Sequence, residues 1–506
     1  MTVTRTASSR ESLQGAGWTC RASSTRRLLR RRRSFSWLRP SPIWQSRNDL
    51  LAHWLGDPTN EMRRSWMRQR AGDTPLVLET SVADEVSFLV LGDTGEGDAS
   101  QYYVVPPLLS QAKGTDFLFI CSDVIYPAGG VQDYGLKFFQ PYRDYPGPIY
   151  AVPGNHDWYD DLRAFMLYFC GDSTPPPSPP AAFPSAAWLR NLLWRRLSAH
   201  KPADLEAMAA MRAASGRRAR QPGPYFALDA GPLRLVGIDT GVTGSIDREQ
   251  GVWLLETSRS CPKPKLLLTG KPIYVNAEYH PGDIEGGGTV DDIVRRPEHN
   301  YIGVIGGDIH NYQRYPVQLG DGRVIQYIVS GAGGAFTHAT HAIPNVDRLR
   351  DRGVTERDFR CYPLRGDSLS RYSQLCSRKL GPFGRRLFIP PDEASTIMAS
   401  LIGIEPVRPS ARGIRVGAGA WRTAALLVRL PHRGRGPLHF PFSEFFDWND
   451  PPLFKSFLRV DATPTEVTIR CFGVTGCRDH DHDPPVEDAV RGWLEPDGVW
   501  RWTVLK

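Results

Sequence analysis

The chain has 506 residues, 41% of them hydrophobic and 23% charged, which is enough apolar material for a sizeable core and excludes a disordered or low-complexity protein. Its net charge of +8 invites a nucleic-acid reading, but residues 1–40 hold ten Arg, no Lys and one acid, Glu11, so the remaining residues are close to neutral. Basicity belongs to one terminal segment, and the folded part carries no polyanion-binding charge excess.

That segment, 1–40, reads as a basic disordered arm. The run Arg30 to Arg33 superficially resembles an export signal, but Arg39-Pro40-Ser41-Pro42 follows where an apolar stretch is needed, so export is not expected. No stretch of eighteen apolar residues occurs, so a spanning helix is not expected either. Eight scattered Cys without a CxxC pair read as free thiols in a cytoplasmic protein, although Cys471 and Cys477 are close enough in sequence to pair.

Residues 41–85 mix Trp, Leu and Arg at helical spacing and form an N-terminal helical extension. From 86 onward apolar runs alternate with segments of helical length, a βαβ pattern that predicts parallel strands. An insertion over 171–222 combines a Pro/Ser loop, Thr174 to Pro184, with an Ala-rich helix, Asp204 to Arg218. Strands are predicted at 225–229, 233–239, 266–269, 301–305 and 324–330, completing a core over 86–344. Residues 345–451 read as an inserted cap or accessory region, 452–475 as closing strands of the core, and 476–506 as a C-terminal tail.

Four motifs within this frame carry the chemistry. They are GDTGEGD at 92–98, SDVIY at 122–126, GNHD at 154–157 and GGDIHNYQR at 306–314, each directly after an apolar, strand-like run. Strands ending in Asp, Asn or His can deliver those side chains to one edge of a sheet. Asp93, Asp123, Asn155 and His310 form a mixed oxygen and nitrogen set without thiolate, suited to Fe, Mn, Mg or Zn rather than to a structural zinc knot. Tyr126, three residues after Asp123, can reach the same ion if the chain turns there. The bland alternative is Asp in turns and helix caps, a common use after strands, but four such motifs in order favour metal.

These residues resemble the calcineurin-like metallophosphoesterases, and within them the purple acid phosphatase pattern, over residues 86–336. The resemblance implies an α/β fold of two packed mixed β-sheets flanked by helices. It implies that Asp93, Asp123, Tyr126 and His310 hold a first metal, that Asp123 bridges to a second metal which also takes Asn155, and that His156 contacts the phosphate. The implied activity is hydrolysis of a phosphate ester, mono- or diester, by a metal-bound hydroxide, with Asp123 and His156 as catalytic residues. Two divalent or mixed-valence ions are the implied cofactors, and a phosphorylated small molecule or polymer the implied partner. Nucleic-acid or membrane contact through the arm is not expected from the near-neutral remainder of the chain.

Two departures leave the second metal open. Gly270 stands where a lone His follows the strand Lys265 to Thr269, and Asp308, itself a candidate metal ligand that favours Mg, Mn or Fe over Zn, replaces the first His of G-H-x-H. Glu278 and His280 are candidate replacement ligands, Lys271 and Arg314 candidate phosphate contacts, and Arg314 has the simpler alternative of pairing with an acid. Without the second metal, the alternative function is a degenerate protein of this fold that binds metal or a phosphorylated ligand without turnover. The pair His338 and His341 reads as surface more readily than as a phosphate entrance, and the tract 478–483 as solvated.

Overall fold

A computed structural model describes residues 36–70, 75–80, 84–172, 174–176, 182–194, 220–429 and 451–506, with Ala16, Ala210 and Glu444. The basic run and the Ala-rich helix expected over 204–218 lie outside the described residues, Ala210 apart.

Two large mixed sheets face each other, so the expected α/β sandwich is borne out. One has seven strands in the order Trp500–Val504, Val486–Leu494, Glu466–Val474, Lys455–Ala462, Val86–Leu91, Phe117–Cys121 and Ile149–Val152. Its last three strands run parallel, and the rest are antiparallel. The other sheet has eight strands, in the order Val77–Glu79, Phe226–Ala230, Leu233–Ile238, Lys265–Thr269, Tyr301–Gly306, Val324–Ser330, Tyr312–Gln318 and Arg360–Tyr362. The four from Leu233–Ile238 to Val324–Ser330 are parallel neighbours.

Strands buried on both faces must be apolar almost throughout, which is why Phe117–Cys121 and Lys265–Thr269 read as continuous runs and not as alternations. Between the sheets lie Phe88, Val90, Phe119, Phe226, Leu235, Leu266, Leu268, Ile302 and Leu458. Phe119 and Phe226 stack across the gap with centroids 6.0 Å apart. Because neighbouring strands share a direction, their carboxyl ends open on one rim, the place where parallel sheets offer ligand sites.

Several boundaries differ from those read in the sequence. The segment 476–506 is not a tail, since Val486–Leu494 and Trp500–Val504 extend the seven-stranded sheet. The alternation of the first is broken by Asp488, a carboxylate on its buried face. Trp37 leaves the arm and packs on the core, only 1% exposed, while the following Leu38 stays exposed. The extension is anchored by Arg63, fully buried, whose Nε donates to Asp239 and Nη1 to Asp247 at 2.8 Å each. In the region 345–451, the helices Arg365–Lys379, Pro391–Ile402 and Ala418–Arg429 share an apolar cluster of their own with Leu369, Ile389, Ile397 and Leu427. Among the described residues six Cys are free, but Cys477 is disulfide-bonded; Cys471 is among the free ones, so the two do not pair with each other. No helix among the described residues is long and apolar enough to cross a membrane.

Candidate metal centre

The motif residues meet on that rim. Asp93 follows Val86–Leu91, Asp123 follows Phe117–Cys121 and Asn155 follows Ile149–Val152, all in the seven-stranded sheet; His310 follows Tyr301–Gly306 in the other. The turns that carry them are tight. Asp93, Ser122, Asp123 and Asp308 all adopt positive φ (57°, 78°, 30° and 67°), a region that costs a non-glycine residue roughly 1–3 kcal/mol. Glycines permit the loops to touch: a Cβ at Gly95 would stand 1.9 Å from the Val124 carbonyl oxygen, and one at Gly154 2.2 Å from Asp123 Oδ1. Asp157 ties two motifs together, its Oδ2 accepting from Val124 N and Gly154 N at 3.0 Å each and Oδ1 from Ile125 N at 3.3 Å.

At the centre stands the hydroxyl of Tyr126, fully buried. It lies 3.1 Å from Asp93 Oδ1, 2.9 Å from Asp123 Oδ2 and 2.9 Å from His310 Nε2. His310 Nδ1 donates to the Phe336 carbonyl at 2.7 Å, which leaves Nε2 as an acceptor in the neutral ring. One O–H proton therefore faces three acceptors. Buried polar groups are normally satisfied, so this surplus of lone pairs calls for a cation. Charge says the same. Burial, then the neighbouring Asp123 and Asp308, pushes the Asp93 carboxyl well above its ordinary range. Burial also raises Asp123, with Asp308 adding to it and His156 opposing, and raises the Tyr126 phenol.

Donor spacing fits a hard ion. An octahedral site with bonds of 2.0–2.1 Å places adjacent donors about 3.0 Å apart, and the three Tyr126 distances lie at 2.9–3.1 Å. The fourth edge, Asp93 Oδ1 to His310 Nε2, is wider at 3.8 Å. No three His, Cys, Asp or Glu among the described residues form a metal-holding group by themselves. The cluster closes only through the tyrosine.

A second ion does not fit as well. Asn155 offers a buried Oδ1 without a hydrogen-bond donor, while its Nδ2 donates to Tyr159 at 2.6 Å. Asp308 Oδ1, however, accepts from Lys271 Nζ at 2.6 Å. Glu278 and His280 pair with one another at 3.5 Å on the hairpin Tyr274–Val275/Glu278–Tyr279. They line a polar cavity of about 590 Å³, at whose wall Lys271 and Asp308 stand. Arg314 is no phosphate contact. It is 1% exposed and grips Asp488 of the C-terminal strands, with Nε to Oδ2 at 2.5 Å and Nη2 to Oδ1 at 3.1 Å.

His156 sits beside the cluster. Its backbone N–H donates to Asp123 Oδ1 at 2.8 Å, and its Nδ1 donates to the Pro127 carbonyl at 2.6 Å. Sequence reasoning missed one neighbour, Trp37, and misplaced another, His338. Trp37 roofs the site, its ring centroid 5.5 Å from His156 and 6.4 Å from Tyr126, with Nε1 3.4 Å from Glu96 Oε1. His338 is not on the surface: it stacks on His310 with centroids 4.3 Å apart and accepts the His310 N–H at Nδ1, 3.0 Å. His341 is buried as well, bonded to Ser368 at 2.8 Å. The signal for His338 was its place just past the strand Val324–Ser330, which ends on the same rim.

Residues 86–312 match the family model for calcineurin-like phosphoesterase, so the resemblance read in the motifs is borne out over that segment. Among solved structures, the chain is similar to a purple acid phosphatase from yellow lupin seeds at 10% identity (83% of this chain, 55% of that one, TM-score 0.38). It is likewise similar to PhoD at 11% identity (86% and 73%, TM-score 0.39). A third is GAP50 of Plasmodium, the anchor in the inner membrane complex, at 13% identity (50% and 74%, TM-score 0.31). The chain thus spans about half the length of the lupin enzyme. No curated protein matches the sequence.

Proposed function

We propose that this protein is a metal-dependent phosphoesterase. The observation that carries the reading is the single Tyr126 O–H shared among Asp93, Asp123 and His310, a cation-deficient cluster at the carboxyl ends of strands from both sheets. These four side chains would hold the ion. A bound hard cation supplies Lewis acidity, polarising phosphoryl oxygens and making water acidic enough to attack near neutral pH.

The chain's own groups divide the remaining work. Asn155 Oδ1, buried and lacking a donor, is the acceptor available to orient a water. His156 has its Nδ1 proton committed to Pro127, so Nε2 is where a proton can be held for the phosphoryl or leaving oxygen. Trp37 covers that imidazole and keeps bulk water from it, which strengthens every charge interaction beneath. Substrate would enter by the cavity of about 590 Å³, a size suited to a phosphorylated small molecule or the end of a polymer.

The test is turnover of chromogenic mono- and diesters by protein reconstituted with Mn, Fe, Zn or Mg, with Asp123→Ala and His310→Ala as controls. Absence of turnover with every ion, in a folded protein, sinks the enzyme reading. A binding protein without turnover is the second reading, favoured by the missing side chain at Gly270; phosphate binding by a metal-loaded but inactive chain would identify it.

A further inference from the structure

The position of a second metal ion is closed by two independent features. Gly270 lacks a ligand, and there is no room for one: a Cβ there would meet the Pro153 carbonyl oxygen at 2.8 Å and Thr240 Oγ1 at 3.0 Å. The other available carboxylate, Asp308, already receives the ammonium of Lys271 at 2.6 Å. This pair is built into the sheet. Lys271 N donates to Thr240 Oγ1 at 3.1 Å, and the Lys271 carbonyl accepts from Thr269 Oγ1 at 3.0 Å. The Gly307 N–H donates to the Gly270 carbonyl at 3.1 Å, tying the loop of the lysine to the loop of the aspartate.

Lys271 leaves the end of Lys265–Thr269, the strand that lacks the expected His, and its side chain is one-quarter exposed towards the polar cavity. We propose that the Lys271 ammonium takes the place of the second metal ion, so that the centre works with one metal ion and one lysine, the lysine gripping the phosphoryl group. This rests on the phosphoesterase reading above. An ammonium has three protons; Asp308 takes one, and the others are directed to phosphoryl oxygens. The Asp308 carboxylate at 2.6 Å offsets the charge of the largely buried ammonium. In hydrolysis the water oxygen bonds to phosphorus as the ester P–O bond breaks. One water proton passes to the leaving oxygen and the other to solvent. Lys271 keeps its proton throughout and stabilises charge on the oxygens that do not leave.

The experiment counts metal and measures anion binding. The full chain, saturated with Mn(II) and freed of excess, should carry one ion per chain by elemental analysis. Lys271→Ala should weaken inorganic phosphate binding to the metal-loaded protein by about tenfold or more. It should also lower kcat by roughly 10²–10³, the loss typical of one removed oxyanion donor. Added ethylammonium should restore part of that rate, which a merely structural lysine would not allow. Two ions per wild-type chain, or unchanged phosphate affinity in Lys271→Ala, overturns the proposal. If no ester is hydrolysed, the enzyme reading falls, while metal count and phosphate affinity still decide the role of Lys271. Should Lys271→Ala fail to fold, the wild-type metal count decides alone.

Discussion

Replacing Tyr126 by Phe isolates one oxygen. The ring's contacts persist, with His156 at 4.5 Å and Trp37 at 6.4 Å between centroids, so packing is conserved and the hydroxyl alone is removed. That hydroxyl lies 2.9 Å from Asp123 Oδ2, 3.1 Å from Asp93 Oδ1 and 2.9 Å from His310 Nε2, so one proton is shared among three acceptors. A hydrogen bond to a charged group is worth about 1.5–3 kcal/mol, and only one can be made at a time. Metal-free Tyr126→Phe should therefore lose about 1.5–3 kcal/mol in urea unfolding, and not three times that. Metal affinity should fall by at least about tenfold, since even a residue that only orients a ligand commonly contributes 10–100-fold. The ferric protein should also lose any visible band from phenolate-to-iron charge transfer. Wild-type stability and wild-type metal affinity in this variant would together refute the hub geometry.

Two other outcomes follow from the charges. Asp93 and Asp123 are raised by burial, and burial with the neighbouring Asp123 pushes Asp157 from 3.8 up to about 8. The folded metal-free protein thus binds more protons than the unfolded chain across that window, so its stability should fall as pH rises from about 4 to 8. Metal should offset the loss, its stabilising effect growing with pH in paired melting curves; a metal-free stability that rises over this range contradicts the assignment. Arg314→Ala leaves the buried Asp488 without its cation and with the Tyr312 hydroxyl at 2.7 Å as its remaining side-chain donor; breaking a buried pair costs about 3–5 kcal/mol in similar cases. It should lower the unfolding midpoint while leaving phosphate affinity in the folded protein unchanged, and a selective loss of phosphate binding would restore Arg314 to the site.

Much of the rim was legible because its logic is local. An apolar strand followed by a turn that places Asp, Asn or His is visible wherever it occurs, and Asp93, Asp123, Asn155 and His310 were found that way. What escaped depends on partners distant in sequence. Lys271 could be read as a spare cation, but its bond to Asp308 depends on how the ends of Lys265–Thr269 and Tyr301–Gly306 lie side by side. Arg314 shows the converse: a cation next to a site motif turns inward to Asp488, which lies in what read as a tail. Trp37 was hidden by its neighbours, because an isolated aromatic beside an arginine run gives no periodicity to follow.

The roof over His156 is shared between the N-terminal arm and the accessory region, two parts that composition alone would mark as dispensable. Ser36 Oγ donates to Glu444 Oε1 at 2.6 Å and Leu38 N to Glu444 Oε2 at 3.0 Å, a contact between residues 408 and 406 positions apart. Trp37 is held between these two bonds, so its hold on the imidazole is set by a carboxylate from the far side of the accessory region. Trimming the chain to its family-matching segment would therefore leave every candidate ligand in the sequence and uncover the histidine they surround.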